Sequence, residues 1–340
     1  MPQPNRAAID WLGLLARLPV ASRYMLQLLD LAGIYFRAFF AVPSSTVGRN
    51  GKPVNAIRGT LDIMARVIAD AAPTRVIACL DLDWRPAWRV ELIPTYKAHR
   101  VLQVTPGRDV PDVEQAPDEL SAQVPILLEV LQAIGVAAAG ADHCEADDVI
   151  GTLVHLETRD PVEVVTGDRD LFQVVSDGPP PATVRYIGAG MSKALVYDAA
   201  AVQARFGVPP SGYADYATLR GDASDGLPGV AGIGDKTAAA LITTFGSIAS
   251  VLAALDSGDG RLASGPRRKL EPARDYLAVA PKVVAVRTDA VVRPTGDGML
   301  PSVPADPDRL AELVTEHALG GSAQRLLAVL GFDQIAGKPA

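Results

Sequence analysis

The acidic residues of this chain are gathered in short clusters. Glu145, Asp147 and Asp148 fall in EADD, Asp168 and Asp170 in TGDRDLF, and Asp222 and Asp225 in GDASDGLPG. Asp30 closes the apolar run YMLQLLD, and Asp81 follows RVIACL. Glu145 and Asp148 stand three apart, the interval that places two side chains on one helix face, and Asp222 and Asp225 repeat it. Asp168 and Asp170 stand two apart, so on a strand both point the same way. Carboxylates crowded together repel and hold raised pKa values unless cations neutralise them. Hard oxygen ligands select Mg²⁺, Mn²⁺ or Ca²⁺ over softer metals. Two such ions about 3.5–4 Å apart generate a hydroxide and stabilise the leaving oxygen of a phosphodiester, with no protein nucleophile. Each acid alone has a plainer reading as an N-cap, a turn residue or a charge favouring a helix N-terminus. Their joint placement is what points to metal chemistry.

The elements around these acids decide whether they can meet. YMLQLLDL (24–31) reads as a buried strand and GIYFRAFF as a helical start. Residues 55–70 have helical periodicity, and 75–83 form a second apolar run that ends in acids. A helix is expected over 118–134, a strand over 134–140, a helix over 145–157 and a strand over 162–170. Residues 101–119, rich in Pro, Gly and acids, promise little packed structure. Strands alternating with helices imply right-handed crossovers and a largely parallel sheet covered on both faces. In such sheets ligands bind beyond the carboxyl ends of the strands, which is where the acids fall. Beyond about residue 200 the pattern turns mostly helical.

Composition sets wider bounds. The 340 residues, 49% hydrophobic and 21% charged, can bury a substantial core. Cys79 and Cys144 are too few for a disulfide framework and fit a reducing cytoplasm. One His beside one Cys (His143, Cys144) makes a poor zinc site. No run approaches the roughly 18 apolar residues of a membrane span. Asp10 and Arg17 interrupt the apolar N-terminal stretch, which argues against a signal peptide. The net charge of −7 does not suggest a nucleic-acid ligand, yet residues 49–108 carry ten Lys or Arg against five acids. A second basic run, Arg267, Arg268 and Lys269, follows Gly265-Pro266. Local basic strips of this kind can grip phosphates whatever the whole-chain charge.

Several motifs then agree in order and spacing. LLDLAGIYFRAFF, YKAHR (96–100), EADDVIGTL (145–153), TGDRDLFQ (166–173) and GDASDGLPGVAGIGDKTAAALI (221–242) resemble successive motifs of the flap endonucleases and of the 5′→3′ exonuclease domain of bacterial DNA polymerase I. The resemblance spans roughly residues 23–320, and no polymerase portion follows. It implies a PIN-like (Rossmann-like) α/β nuclease domain with a helical arch over 23–200 and a helix-hairpin-helix DNA-binding domain over 201–320. An N-terminal extension (1–22) and a C-terminal tail (321–340) flank them.

The resemblance makes Asp30, Glu145, Asp147, Asp148, Asp168, Asp170, Asp222 and Asp225 metal-site carboxylates for Mg²⁺ or Mn²⁺, with Asp81 a further acid. Leu31 and Ala32 stand where the family usually has Gly and small polar residues. Arg89, Lys97 and Arg100 match basic residues at the base of the arch, placed to stabilise charge on a transferring phosphoryl group. Lys97 and Arg100, three apart after Pro94, would share a helical face. The plainer reading is a solvated basic face. Trp84, Trp88 and Tyr96 are candidates either for stacking on a base or for packing.

In the implied hairpin, Gly232 and Gly234 permit the tight turn, and Lys236 and Thr237 open the next helix, whose N–H groups hold a duplex phosphate. The segment lacks the context of a nucleotide-binding glycine loop. The resemblance also implies K⁺ in this hairpin, DNA with a 5′ flap, gap or free 5′ end as substrate, and a cytoplasmic monomer. Partners would be DNA polymerase I or a sliding clamp, though the tail DQIAGKPA offers no motif for them. Two rival readings stay open: a junction-binding homologue without catalysis, and an RNA-cleaving PIN-type nuclease.

Overall fold

The computed structural model describes residues 24–105 and 111–332. The expected extension (1–22), the centre of the 101–119 stretch and the last residues of the tail lie outside them.

Strand β1 (Leu26–Asp30) shows why the sheet is two-sided. Leu26 and Leu28 enter one hydrophobic cluster and Leu29 the other, as the two-residue period of a strand requires. β1 pairs in parallel with β2 (Arg75–Cys79) on one side and β6 (Val162–Thr166) on the other. β5 (Ala137–Gly140) and β7 (Ala182–Tyr186) extend this parallel core outward. Antiparallel edge strands, β8 (Leu195–Tyr197) and β9 (Arg293–Pro294), complete the order β8-β7-β6-β1-β2-β5-β9.

One face is covered by α1 (Leu31–Ala41), α2 (Asn55–Ala71) and α5 (Val124–Ile134), packed through Ile34, Ile57, Leu61, Leu127 and Leu131. The other takes α6 (Ala146–Leu156) through Val149 and Ile150. Its cluster continues into a helical half: α7 (Ala199–Phe206), α8 (Tyr213–Arg220), α9 (Asp235–Phe245), α10 (Ile248–Ser257), α11 (Ser264–Leu270) and α12 (Arg274–Val284). The chain then returns through β9 to the sheet edge. It ends in α13 (Pro307–Glu316) and α14 (Gly320–Val329), whose Leu310, Leu313, Leu326 and Leu327 join the cluster of α2 and α5.

Two expectations need correction. The helix expected over 118–134 is broken into Asp118–Ser121 and α5. Pro125 has no N–H to offer Ser121 and disfavours helical geometry before it. The buried Gln123 at the break accepts from Ala56 N at 2.8 Å and donates to Glu119 O at 2.9 Å. The described parts of the 101–119 stretch also hold more structure than the composition suggests. β3 (Val101–Gln103) and β4 (Val113–Glu114) pair antiparallel. Asp112 fastens them, its carbonyl accepting from Trp84 Nε1 at 2.7 Å and its carboxylate meeting Arg85 at 2.6 Å. Among the described residues no single helix is long and apolar enough to cross a membrane.

Candidate active site

Three acids sit where strands stop. The carboxylate of Asp30 accepts from Gly33 N at 2.9 Å, capping α1, and from Thr166 Oγ1 at 2.8 Å. Asp81, just past β2, accepts from Ala146 N at 2.6 Å. Asp168, just past β6, accepts from Asp170 N at 2.8 Å. Since β2, β1 and β6 are neighbours and parallel, their carboxyl ends lie side by side. α6 adds its N-cap Glu145 and, two residues on, Asp147. Asp222 and Asp225 arrive from the helical half on a short turn docked by two bonds. Lys97 N donates to Asp225 O at 2.9 Å, and Thr95 Oγ1 donates to Gly226 O at 3.0 Å.

A cleft of about 240 Å³ gathers six of these acids, Asp30, Asp81, Glu145, Asp147, Asp168 and Asp225, with Arg37, Lys97 and Arg100. An adjoining one of about 380 Å³ shares Asp168 and adds Asp222, Arg169 and Arg220. Asp170 lines neither cleft, but it feels the charges of Asp168, Asp225 and Asp222, and its Oδ1 is buried without a hydrogen-bond partner among the described residues.

The electrostatics follow from burial first and crowding second. Burial, then Asp168, then other carboxylates push Asp147 and Asp170 well above the ordinary carboxylate range. Asp81 is raised to about 7 by burial and Glu145, although its surface opens to the cleft; it is ringed by protein rather than sealed in it. Asp225 rises to about 6 by burial, with Lys97 pulling the other way. Asp30 rises by burial too, and Asp168 by the protein packed around it although its surface is open to solvent, both partly offset by the donors they hold. Burial works against the charge of Lys97, but Glu145 outweighs it and holds the ammonium protonated.

This donor set fits divalent cations. All its ligands are hard oxygens, several have pKa values raised by burial and by one another, and one buried oxygen has no partner among the described residues. Among the described residues no three of the acids converge tightly on one point, consistent with carboxylates that repel one another.

Not every expected residue reaches the cleft. Asp148 is completely buried, bound by Arg89 at 2.7 Å through each oxygen, and it accepts from Glu145 N and Arg287 N. It closes a capping box with Glu145 across the first turn of α6, so the shared helix face serves the cap. Arg89, expected beside the phosphate, is buried too. It donates to Asp148, to Glu145 and to Val283 O, and stacks on Trp88 at 4.4 Å. Both residues hold the site together from behind.

Lys97 and Arg100 do line the cleft, but on no common helix. Lys97 takes a left-handed conformation (φ 48°) and binds Glu145, while Arg100 ends the short 3-10 turn before β3 and binds Glu114. β6 stops at Thr166, so Asp168 and Asp170 lie on the following turn and not at strand spacing. The three aromatics are packed: Trp84 and Trp88 donate to Asp112 O and His143 O, and Tyr96 donates to Glu145 at 2.6 Å.

Sequence reasoning passed over Arg37. It lies seven residues after Asp30, two helical turns along α1, an interval that would have placed it over the cleft. There its guanidinium lies over Gly167, where a Cβ would come within 2.6 Å of Nη2.

Farther along, Gly232 (φ 76°) turns the chain and Gly234 caps α9, with Lys236 and Thr237 in the first turn. At this turn, where K⁺ is expected, Lys269 Nζ donates to Gly232 O at 2.7 Å. A second cation at that carbonyl would meet the ammonium.

A parallel sheet with an acidic cleft at its strand ends and a helical half beside it defines an α/β nuclease of the PIN-like type. Residues 25–207 match the family described as the 5′-3′ exonuclease N-terminal resolvase-like domain, and residues 208–302 its C-terminal SAM fold. The chain belongs to this 5′-3′ exonuclease family. It is 51% identical to a 5′-3′ exonuclease of Mycobacterium tuberculosis, over 91% of this chain and 98% of the relative. It is 37% identical to DNA polymerase I of the same species, over 72% of this chain and 26% of that protein. The fold is shared with a bacteriophage T5 flap endonuclease solved with DNA and metal ions (TM-score 0.55, 16% identity, covering 91% of this chain and 100% of that one).

Proposed function

We propose that the chain is a structure-specific 5′-nuclease, acting as flap endonuclease and 5′→3′ exonuclease on DNA near single-strand/duplex junctions in primer removal and repair. One observation carries this reading: acids from separate segments, including the helical half, share one cleft with three cationic side chains. Asp30, Asp81, Glu145, Asp147, Asp168, Asp170, Asp222 and Asp225 would hold two ions of Mg²⁺ or Mn²⁺. Such ions supply activation of water and charge neutralisation at the leaving oxygen.

The chain's own residues do the rest. Lys97, Arg100 and Arg37 draw the scissile phosphate to the acids and offset charge developing on its oxygens. Glu145, Tyr96 and Arg89 keep Lys97 in place. Water adds to phosphorus, the P–O3′ bond breaks, and the products carry a 5′-phosphate and a 3′-hydroxyl. The hairpin of Gly232, Gly234, Lys236 and Thr237 holds the duplex. Two free, buried cysteines support a reducing, cytoplasmic setting. DNA polymerase I or a sliding clamp would be the protein partner of a monomeric chain.

A labelled 5′-flap duplex with Mg²⁺ or Mn²⁺ tests this. The intact protein is expected to cut at the junction, and Asp147→Asn to lose at least about a hundredfold in rate while still binding the flap. Binding without cleavage in either metal would sink the catalytic reading in favour of a junction-binding role. Cleavage of RNA but not of flap DNA would favour an RNA-directed nuclease.

A further inference from the structure

The basic run Arg267, Arg268, Lys269 has no part in the cleft, yet it touches the duplex-gripping hairpin. We infer that the Lys269 ammonium is the hairpin's built-in cation, supplying through a tethered side chain the charge that a bound monovalent ion would otherwise bring. The inference rests on the DNA-binding reading above and deepens it.

α11 is fixed so that Lys269 can do this. Arg267 donates to Leu255 O at 3.1 Å and Asp259 O at 2.9 Å, and Leu270 is fully buried. Those two anchor the helix, and Lys269 between them reaches out to Gly232 O at 2.7 Å. Its stem lies over the turn: a Cβ on Gly232 would come 3.2 Å from Lys269 Cε and 3.4 Å from Nζ. Gly232 (φ 76°) therefore serves both the left-handed turn and the approach of the lysine. The turn is closed by Ile233 N donating to Val230 O at 2.9 Å, which leads the chain into the N-terminus of α9.

Helix N–H groups and Lys236 at that N-terminus favour an anion. The Lys269 charge adds to the same potential. Being covalently attached, it neither exchanges with the salt nor depends on which monovalent cation is present. A free ion would have to compete with it at Gly232 O against like-charge repulsion.

The test is equilibrium binding of a blunt DNA duplex by the full chain in EDTA, where cleavage plays no part. KCl, NaCl and tetramethylammonium chloride are compared at equal ionic strength. The intact protein is expected to bind alike in all three. Lys269→Met should bind more weakly, with a plot of log K against log salt shallower by about 0.9, one phosphate's worth of released counterion. Lys269→Arg should keep most of the affinity. Melting temperatures of both variants close to the parent's would show that the fold survives; the comparison of salts needs no variant.

Tighter binding by the intact protein in KCl than in tetramethylammonium chloride would overturn the inference, since an ion would then be seated in the hairpin. So would an unchanged salt slope in Lys269→Met. Failure of the intact protein to bind duplex in any salt would instead remove the DNA-binding reading, and this inference with it.

Discussion

At the scale of single residues, adjacent acids in EADD have opposite duties. Asp147 opens to the cleft with a raised pKa and no ion pair of its own among the described residues, only the more distant pull of Lys97, whereas Asp148 is saturated by Arg89, Glu145 N and Arg287 N. A carboxylate already committed to a bidentate buried guanidinium has little left to offer a metal ion. Removing it leaves the buried guanidinium of Arg89 with only Glu145, a carboxylate that Lys97 also uses, and breaking a buried pair in this way typically costs about 3–5 kcal/mol. Asp148→Ala is therefore expected to lose about that much stability in urea unfolding of the metal-free protein. Asp148→Leu combined with Arg89→Met should recover part of it, because both charges leave together. A loss below about 1 kcal/mol in the single variant would contradict this assignment. Asp147→Asn removes a repelled carboxylate and carries no such cost.

At the scale of elements, the site depends on a junction between the turn carrying Asp222 and Asp225 and the segment carrying Lys97. Gly226 is its pivot: it has φ 69°, and a Cβ there would lie 2.2 Å from Thr95 O. Gly226→Ala must push the turn away, loosening the bonds from Lys97 N to Asp225 O and from Thr95 Oγ1 to Gly226 O. A stability loss of about 1–3 kcal/mol is expected, together with a fall in kcat larger than any rise in KM. Unchanged kcat with a normal melting temperature would show that the junction tolerates displacement. Much of this site was legible in sequence. Strand-end acids, the N-terminal acids of α6 and the glycine-punctuated hairpin are local patterns, and local patterns set local structure. The rest depended on long-range contacts. Asp148 could be told from Asp147 only by knowing that Arg89 and residue 287 pack behind α6. Arg37 lay in a stretch that looked merely apolar and aromatic. Pro125 was visible, but its effect on one long helix was outweighed by the strong periodicity around it.

At the scale of the molecule, the last thirty or so described residues matter more than their position suggests. The match to the C-terminal SAM fold ends at residue 302, which makes a cut there look harmless. Beyond it, α13 and α14 lay Leu310, Leu313, Leu319, Leu326 and Leu327 into the cluster of α2 and α5, each no more than 5% exposed. Polar ties accompany them: Arg325 pairs with Asp62, Arg309 with Glu129, and Asp306 N donates to Ala133 O at 2.9 Å. Those pairs are exposed and contribute little. The leucines, at about 1.5–3 kcal/mol each, together approach the roughly 5–15 kcal/mol that holds a typical domain folded, even as an upper bound. Removing them would also bare the apolar side of α2, the helix next to α1, and α1 carries Asp30 at its cap and Arg37 on its flank. A chain ending at residue 302 is accordingly expected to aggregate or to melt broadly without a cooperative transition, and to lose flap cleavage although every cleft acid is still present. Calorimetry of the two lengths side by side checks this. A cooperative melt for the short chain within a few degrees of the full one would mean that α13 and α14 merely cover the sheet and do not hold it.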